Sequence, residues 1–203
     1  MWRSRVRFHA PARAAARNRA VVEIGAGSLA SLPFYDPARV RTIRAIEPDP
    51  VMRALAARRA RRGELAVTVE DGCAEALPVG DGCADTVVVA YVLCSVADPV
   101  AALREAARVL APGGQLVFAE HAASDGPVAA RLQRGLDPFW RRFVGGCSLV
   151  RDPLAAVVNA GFTLRRCETG VFTGALAALG RHLGGIAEIG LATSAGDTDA
   201  GMR

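Results

Sequence analysis

A compact apolar run at 20–24 passes directly into Gly25-Ala26-Gly27, and this junction restricts the folds open to the chain more than any other segment. Glycines at the end of a strand let the backbone come close to a ligand, and a helix that follows offers it free N–H groups. A second strand at 41–46 closes on Glu47-Pro48-Asp49-Pro50. That places an acid 24 residues beyond Glu23, at the end of the next strand. In nucleotide-binding α/β folds an acid so placed accepts hydrogen bonds from both ribose hydroxyls.

The same alternation continues along the chain. Asp49 is a cap for a helix running to about residue 62, where Gly63 stops it, and 65–69 is a third strand. Residues 85–91 are the most hydrophobic strand, as expected at the centre of a parallel sheet. Asp98 caps a helix at 99–110, and Pro112-Gly113-Gly114 turns into a strand at 115–120. An amphipathic helix at 128–143 carries Phe139, Trp140 and Phe143. Asp152 caps another helix, which ends at Gly161, and strands are expected at 162–168 and 185–192. Alternating strands and helices predict a mostly parallel sheet covered by helices on both faces. Residues 20–192 read as one domain, preceded by a basic segment at 1–19 and followed by a small, polar, frayed tail at 193–203.

Composition narrows the class. With 51% hydrophobic and 22% charged residues the chain is an ordinary globular protein. No apolar run approaches the roughly 18 residues of a membrane span, and the arginine-bearing start has no apolar signal core. A cytoplasmic location without a membrane anchor is therefore expected. Every cation behind the net charge of +5 is arginine, the usage of a GC-rich bacterial genome. Six arginines precede Glu23, either a phosphate-seeking arm or a solvated helix face. The five cysteines fit neither a zinc-site spacing nor a CxxC pair, and are expected to be mostly buried small apolar residues. The three histidines are widely separated, so no metal is expected.

Two kinds of cofactor use such a loop. A dinucleotide requires the fuller GxGxxG motif for its pyrophosphate, and Ala30 meets the third position only loosely. S-adenosylmethionine has no phosphate, and its proteins commonly carry an acid two residues before the first glycine, here Glu23.

The ordered set Glu23-x-Gly25-x-Gly27, Glu47, Ala74-Glu75-Ala76-Leu77-Pro78, Asp81-Gly82-x-x-Asp85 and Arg108-Val109-Leu110-Ala111-Pro112-Gly113-Gly114 resembles the class I S-adenosylmethionine-dependent methyltransferases over about residues 20–120. The resemblance implies a Rossmann-like, seven-stranded, mostly parallel α/β sheet with its last strand antiparallel. It also implies that Glu23, Gly25, Ala26 and Gly27 form the cofactor loop and that Glu47 with Pro48 holds the ribose. Cys73-Ala74-Glu75 would line the adenine, and Ala90-Tyr91 the methionine end. Further along, Tyr91-Val92-Leu93-Cys94-Ser95-Val96, Glu120-His121, Pro138-x-Trp140 and Gly146-Cys147-x-Leu149-x-Arg151 resemble the methyltransferase-like-seven family of thiol S-methyltransferases and its bacterial relatives.

That family implies a small-molecule acceptor, a thiol, in natural-product tailoring or detoxification. His121 is then the candidate catalytic base at the carboxyl edge of the sheet, with Glu120 a catalytic candidate beside it as strand-end acid, as partner to His121, or both; a structural or wall role for His121 stays open. Cys147 reads as a packing residue, because methyl transfer needs no covalent enzyme intermediate. Phe139 and Trp140 either wall the acceptor or pack their helix. The other readings are C- or O-methylation of a quinone-like or polyketide-like acceptor, and a ligand-binding member without catalysis. A nucleic-acid substrate is disfavoured, since no Asn/Asp-Pro-Pro-Tyr motif follows the fourth strand. Two departures from the family pattern carry expectations. Leu29 stands at its third glycine and should crowd the methionine end or shift the loop. Cys73 replaces an aspartate at the adenine, which leaves backbone groups to recognise that base.

Overall fold

A computed structural model describes residues 19–171 and 181–189. Within them the order of elements is β1 (Arg19–Ile24), a single 3-10 turn (Leu32–Phe34), β2 (Val40–Ile46), α1 (Pro50–Ala60), β3 (Ala66–Glu70), β4 (Ala84–Ala90), α2 (Pro99–Val109), β5 (Leu110–Ala122), α3 (Pro127–Phe143), α4 (Pro153–Asn159), β6 (Phe162–Val171) and β7 (Arg181–Ile189). The strands form one sheet in the order β3-β2-β1-β4-β5-β7-β6. All pairs are parallel except those of β7, which runs antiparallel to β5 and to β6. The fold is the expected Rossmann-like class I methyltransferase sheet. All of the basic segment at 1–19 except Arg19, and the tail at 193–203, lie outside the described residues.

Alternation within each strand supplies two cores. One face gathers Val22, Ile24, Val87, Val89, Leu116 and Phe118 against Leu103, Ala106 and Val109 of α2 and Val157 of α4. The other gathers Val21, Ile43, Ala45 and Val88 against Ala56 of α1 and the loop residues Leu29 and Leu32. Valine-rich β4 feeds both faces, which is why it reads as a continuous apolar run.

Local chemistry starts the helices. Asp49 accepts from the backbone N–H groups of Val51 and Met52, Asp98 from Val100 and Ala101, and Asp152 from Ala155. In each case proline follows at the first helical position, where its missing N–H is no loss. The turn expected at Pro112-Gly113-Gly114 is an irregularity inside a longer β5: Ala84 pairs with Leu110, and Thr86 with Gln115. β7 begins four residues before the expected strand at 185–192.

One expectation fails. No helix follows the glycine loop; turns and the Leu32–Phe34 3-10 turn take its place. Pro33 and Pro37 bracket the segment, and Asp36 accepts from the N–H of Ala38 to close a local turn instead of a helical one.

Candidate active site

β1 delivers Gly25, Ala26 and Gly27 to the carboxyl edge of the sheet. Gly25 has φ +62°, and a Cβ there would stand 2.4 Å from Val92 Cγ2, so only glycine lets the loop after β1 close on the loop after β4. Gly27 has φ +55° and faces open space, with nothing within 4 Å of the position of a Cβ. The N–H of Ala26 donates to Ile46 O (3.1 Å) and that of Gly27 to Glu47 Oε2 (2.7 Å), while Glu47 Oε1 accepts from Asp49 N–H (3.0 Å). The buried Glu47 is thus fixed on the rim of the loop by two backbone donors. A carboxylate has about four acceptor positions, so two remain for a vicinal pair of ribose hydroxyls. Pro48 is exposed beside it and its carbonyl accepts from Arg53. The open glycine backbone and this acid fit the nucleoside end of S-adenosylmethionine.

Glu23 sits below the loop and is buried. Its Oε1 accepts from Ser31 Oγ at 2.6 Å and its Oε2 from Tyr35 Oη at 2.7 Å. Burial pushes its carboxyl above the usual range, against the pull of those two donors. Glu23 therefore ties down the segment that stands where a helix was expected, and Ser31 and Tyr35 enter the site as supports that spacing alone did not single out. Leu29 adopts the left-handed φ of +56° that a glycine would take. Its side chain is fully buried in the core with Ile43, Ala45 and Ala56. The expected crowding of the methionine end is absent: the side chain points into the protein, and the strain is in the backbone.

Where the adenine is expected, Cys73 is exposed and pairs with Ala76 in a short bridge, and Ala74 is buried. Glu75 follows them with its carboxylate on the loop after β4. Its Oε1 accepts from the N–H groups of Ala97 and Asp98 at 2.9 and 3.2 Å, ahead of α2, so it braces the loop after β4. Ala90 and Tyr91 end β4, with Tyr91 at φ +57° and its N–H on Ala119 O (2.7 Å). A tyrosine held at positive φ is backbone strain of the kind that gathers at functional sites.

Of the two expected catalytic groups, Glu120 is fully buried. Its Oε1 accepts from Val92 and Leu93 N–H at 2.8 and 2.9 Å, so it anchors the loop after β4 from beneath. Burial, outweighing these donors, raises its pKa to about 7. Glu120 thus positions the loop after β4, and the charge of the adjacent His121 acts on it as well. His121 is half-buried, with Tyr91 tilted across it at a centroid distance of 4.7 Å. Its Nδ1 lies 3.3 Å from Cys147 Sγ.

Cys94, from the loop after β4, completes a group whose ligand atoms all lie within 4.8 Å of one another: Cys94 Sγ, His121 and Cys147 Sγ. The Cys94 thiol and then His121 favour the thiolate of Cys147 against burial, and Trp140, its Nε1 buried, adds to this. Cys94 is pushed up by its bond to Cys147 and by burial. The histidines are dispersed as expected, and the group is formed by one of them with two cysteines. The three residues are 27 and 26 positions apart and meet only because β4, β5 and the loop before α4 end together. The cysteines divide as well: Cys94 and Cys147 are buried, whereas Cys73, Cys83 and Cys167 are exposed, contrary to expectation.

The segment around Cys147 is pinned to the loop after β4. Ser148 N–H donates to Cys94 O (2.8 Å), and Arg151 Nη1 to Leu93 O (2.6 Å). Asp137 Oδ1 accepts from Ser148 Oγ and Leu149 N–H. Arg151 thus holds a loop. Phe139, 71% exposed, does not pack α3 onto the sheet, and Phe143 is exposed too.

Residues 22–118 match the family model described as a methyltransferase domain. Human thiol S-methyltransferase TMT1A is 34% identical over 149 residues, 70% of this chain and 59% of that protein. Human thiol S-methyltransferase TMT1B is 33% identical over 150 residues, 71% of this chain and 60% of that protein. The ubiquinone/menaquinone biosynthesis C-methyltransferase UbiE of Caulobacter vibrioides is 39% identical over 79 residues, 39% of this chain and 30% of that protein. The chain spans about three fifths of the length of the thiol methyltransferases it matches. Among solved structures, YcgJ of Bacillus subtilis superposes with a TM-score of 0.60 at 24% identity, covering 77% of this chain and 68% of that one. A methyltransferase-like protein of Bacillus halodurans does so at 0.65 and 21%, covering 76% and 67%. At such identities they share the fold.

Proposed function

The chain belongs to the class I methyltransferases, whose methyl donor is S-adenosylmethionine, and on that premise we propose that it methylates the sulfur of a small thiol. One observation carries the choice of acceptor. Similarity to the thiol S-methyltransferases runs over 149 residues, well past the domain match that ends at 118, whereas similarity to the quinone C-methyltransferase runs over 79. The longer match requires the second half of the chain, which builds the floor beneath His121.

When bound, S-adenosylmethionine supplies a methyl group on a sulfonium sulfur, already activated for displacement. The protein's task is placement. Glu47 takes the ribose hydroxyls with the acceptor capacity its backbone donors leave free. Gly25 and Gly27 give the nucleoside close access to backbone, and the Cys73-Ala74 backbone meets the adenine in place of the missing aspartate. Tyr91 and His121 stand at the ends of β4 and β5, where the acceptor must lie in line with the methyl group. A thiol of pKa near 8.5 is already a few per cent thiolate at neutral pH, so it needs only modest help to ionise.

The test is a panel of alkyl thiols, phenols, amines and quinols with methyl-labelled cofactor. Thiols are expected to take the label and the others not. Label on the carbon or oxygen of a quinol, with thiols inert, would replace this reading by the quinone one. Failure to bind the cofactor at all would leave a non-catalytic member of the fold.

A further inference from the structure

We propose that Cys94, His121 and Cys147 bind a zinc ion whose fourth position receives the acceptor thiol as its thiolate. The metal assignment stands on geometry; the role of the fourth position rests on the thiol reading above.

The transfer chemistry leaves two buried thiols without a task. Structural cysteines in a core usually lie among aliphatic side chains, but these two lie against each other, with an imidazole nitrogen 3.3 Å from one of them. Tetrahedral zinc, with bonds of about 2.3 Å to sulfur and 2.05 Å to nitrogen, places two sulfurs about 3.8 Å apart and sulfur about 3.6 Å from nitrogen. His121 Nδ1 and Cys147 Sγ are already 3.3 Å apart, and no pair in the group exceeds 4.8 Å. Adjustments of about 1 Å or less therefore close the site. Both cysteines are held from behind: Cys94 O accepts from Ser148 N–H, Cys147 N–H donates to Val144 O, and the loop carrying Cys94 hangs on Glu120 through Val92 and Leu93. Such outer contacts are what orient metal ligands. Two thiolates and an imidazole suit zinc.

Three protein ligands leave one open position, the pattern of a catalytic zinc site. It lies at the carboxyl edge of β4 and β5, beside Tyr91, on the side where the acceptor must sit. The acceptor RSH loses its proton to solvent as its sulfur joins the zinc. A sulfur lone pair then forms the bond to the methyl carbon, and the old carbon–sulfonium bond pair stays with the cofactor sulfur. The neutral thioether is a weak ligand and leaves.

The full chain, purified without chelator, is assayed for bound zinc and then reconstituted with cobalt(II). About one equivalent of zinc and a thiolate-to-cobalt absorption band are expected. Cys147→Ser and His121→Asn are expected to lose most of the metal with a folded circular-dichroism spectrum, while Cys83→Ser, at an exposed thiol, keeps it. Hexanethiol is expected to shift the cobalt spectrum without any cofactor present. A chain that takes up no zinc or cobalt, or that joins Cys94 to Cys147 as a disulfide instead, while still methylating thiols, overturns the metal site and leaves the proposed function intact. Metal uptake by all three variants alike also overturns it. Metal bound by these residues, with no spectral response to thiols and no thiol turnover, overturns the role of the fourth position and the thiol reading together.

Discussion

Leu29 shows how two opposing energies meet in one residue. Its left-handed backbone costs about 1–2 kcal/mol relative to glycine. Its fully buried side chain contributes more, since removing a buried leucine to alanine costs about 3–5 kcal/mol. Packing wins, so Leu29→Gly is expected to destabilise the protein by about 2–3 kcal/mol in urea unfolding, although it restores the family's glycine. A stabilised variant would mean that the strain, not the packing, dominates. Glu23 makes a second prediction. Its carboxyl is raised in the fold, so folding takes up a proton as pH climbs from the ordinary carboxyl range toward the raised value. Its contribution to stability is complete at low pH and falls as pH rises through that window. Glu23→Gln should therefore flatten the decline of the urea midpoint across this range. Glu47 makes the third: Glu47→Ala should weaken S-adenosylmethionine binding by roughly tenfold or more in calorimetry, equivalent to about 1.4 kcal/mol. Unchanged affinity would remove Glu47 from the ribose site.

At the scale of elements, five Asp-Pro pairs occur in the chain, and three of them start helices. Asp36-Pro37 closes a turn, and Asp137-Pro138 lies inside α3 with its carboxylate on Ser148 and Leu149. The dipeptide by itself therefore does not decide whether a helix starts there. The loop carrying Cys147 belongs to this scale as well. Arg151 reaches Leu93 O across 58 residues and is half-buried. Arg151→Ala is expected to cost about 1–3 kcal/mol in unfolding and to lower kcat/KM with thiols more than it lowers cofactor affinity, because it frees the acceptor side of the site.

For the molecule as a whole, the cofactor loop, Glu47 and the loop after β4 lie on three strands of one sheet, so occupancy should stabilise all of it. S-adenosylmethionine at 100 times its Kd should add about 2.7 kcal/mol, a rise in thermal midpoint of roughly 5–10 °C. A midpoint that does not move would argue against a preformed site. The whole sheet also explains the sequence's uneven legibility. Strand and helix types, three caps and the glycine loop were readable because each depends on neighbours a few residues away. The acids were readable as residues but not as directions. Glu23, Glu75 and Glu120 all sit in segments that point to the site, yet each carboxylate is held by backbone or side-chain donors elsewhere.

The amino-acid sequence by itself determined the class I sheet, the placing of Gly25, Gly27 and Glu47 at its carboxyl edge, and the kinship with thiol methyltransferases. These follow from local periodicity, turn chemistry and ordered motifs. Only the tertiary structure decided that Leu29 turns inward, that a strapped turn replaces the first helix, and that Cys94, His121 and Cys147 converge. The reason is the same each time: burial and long-range pairing choose where a side chain points, and no spacing along the chain records that choice.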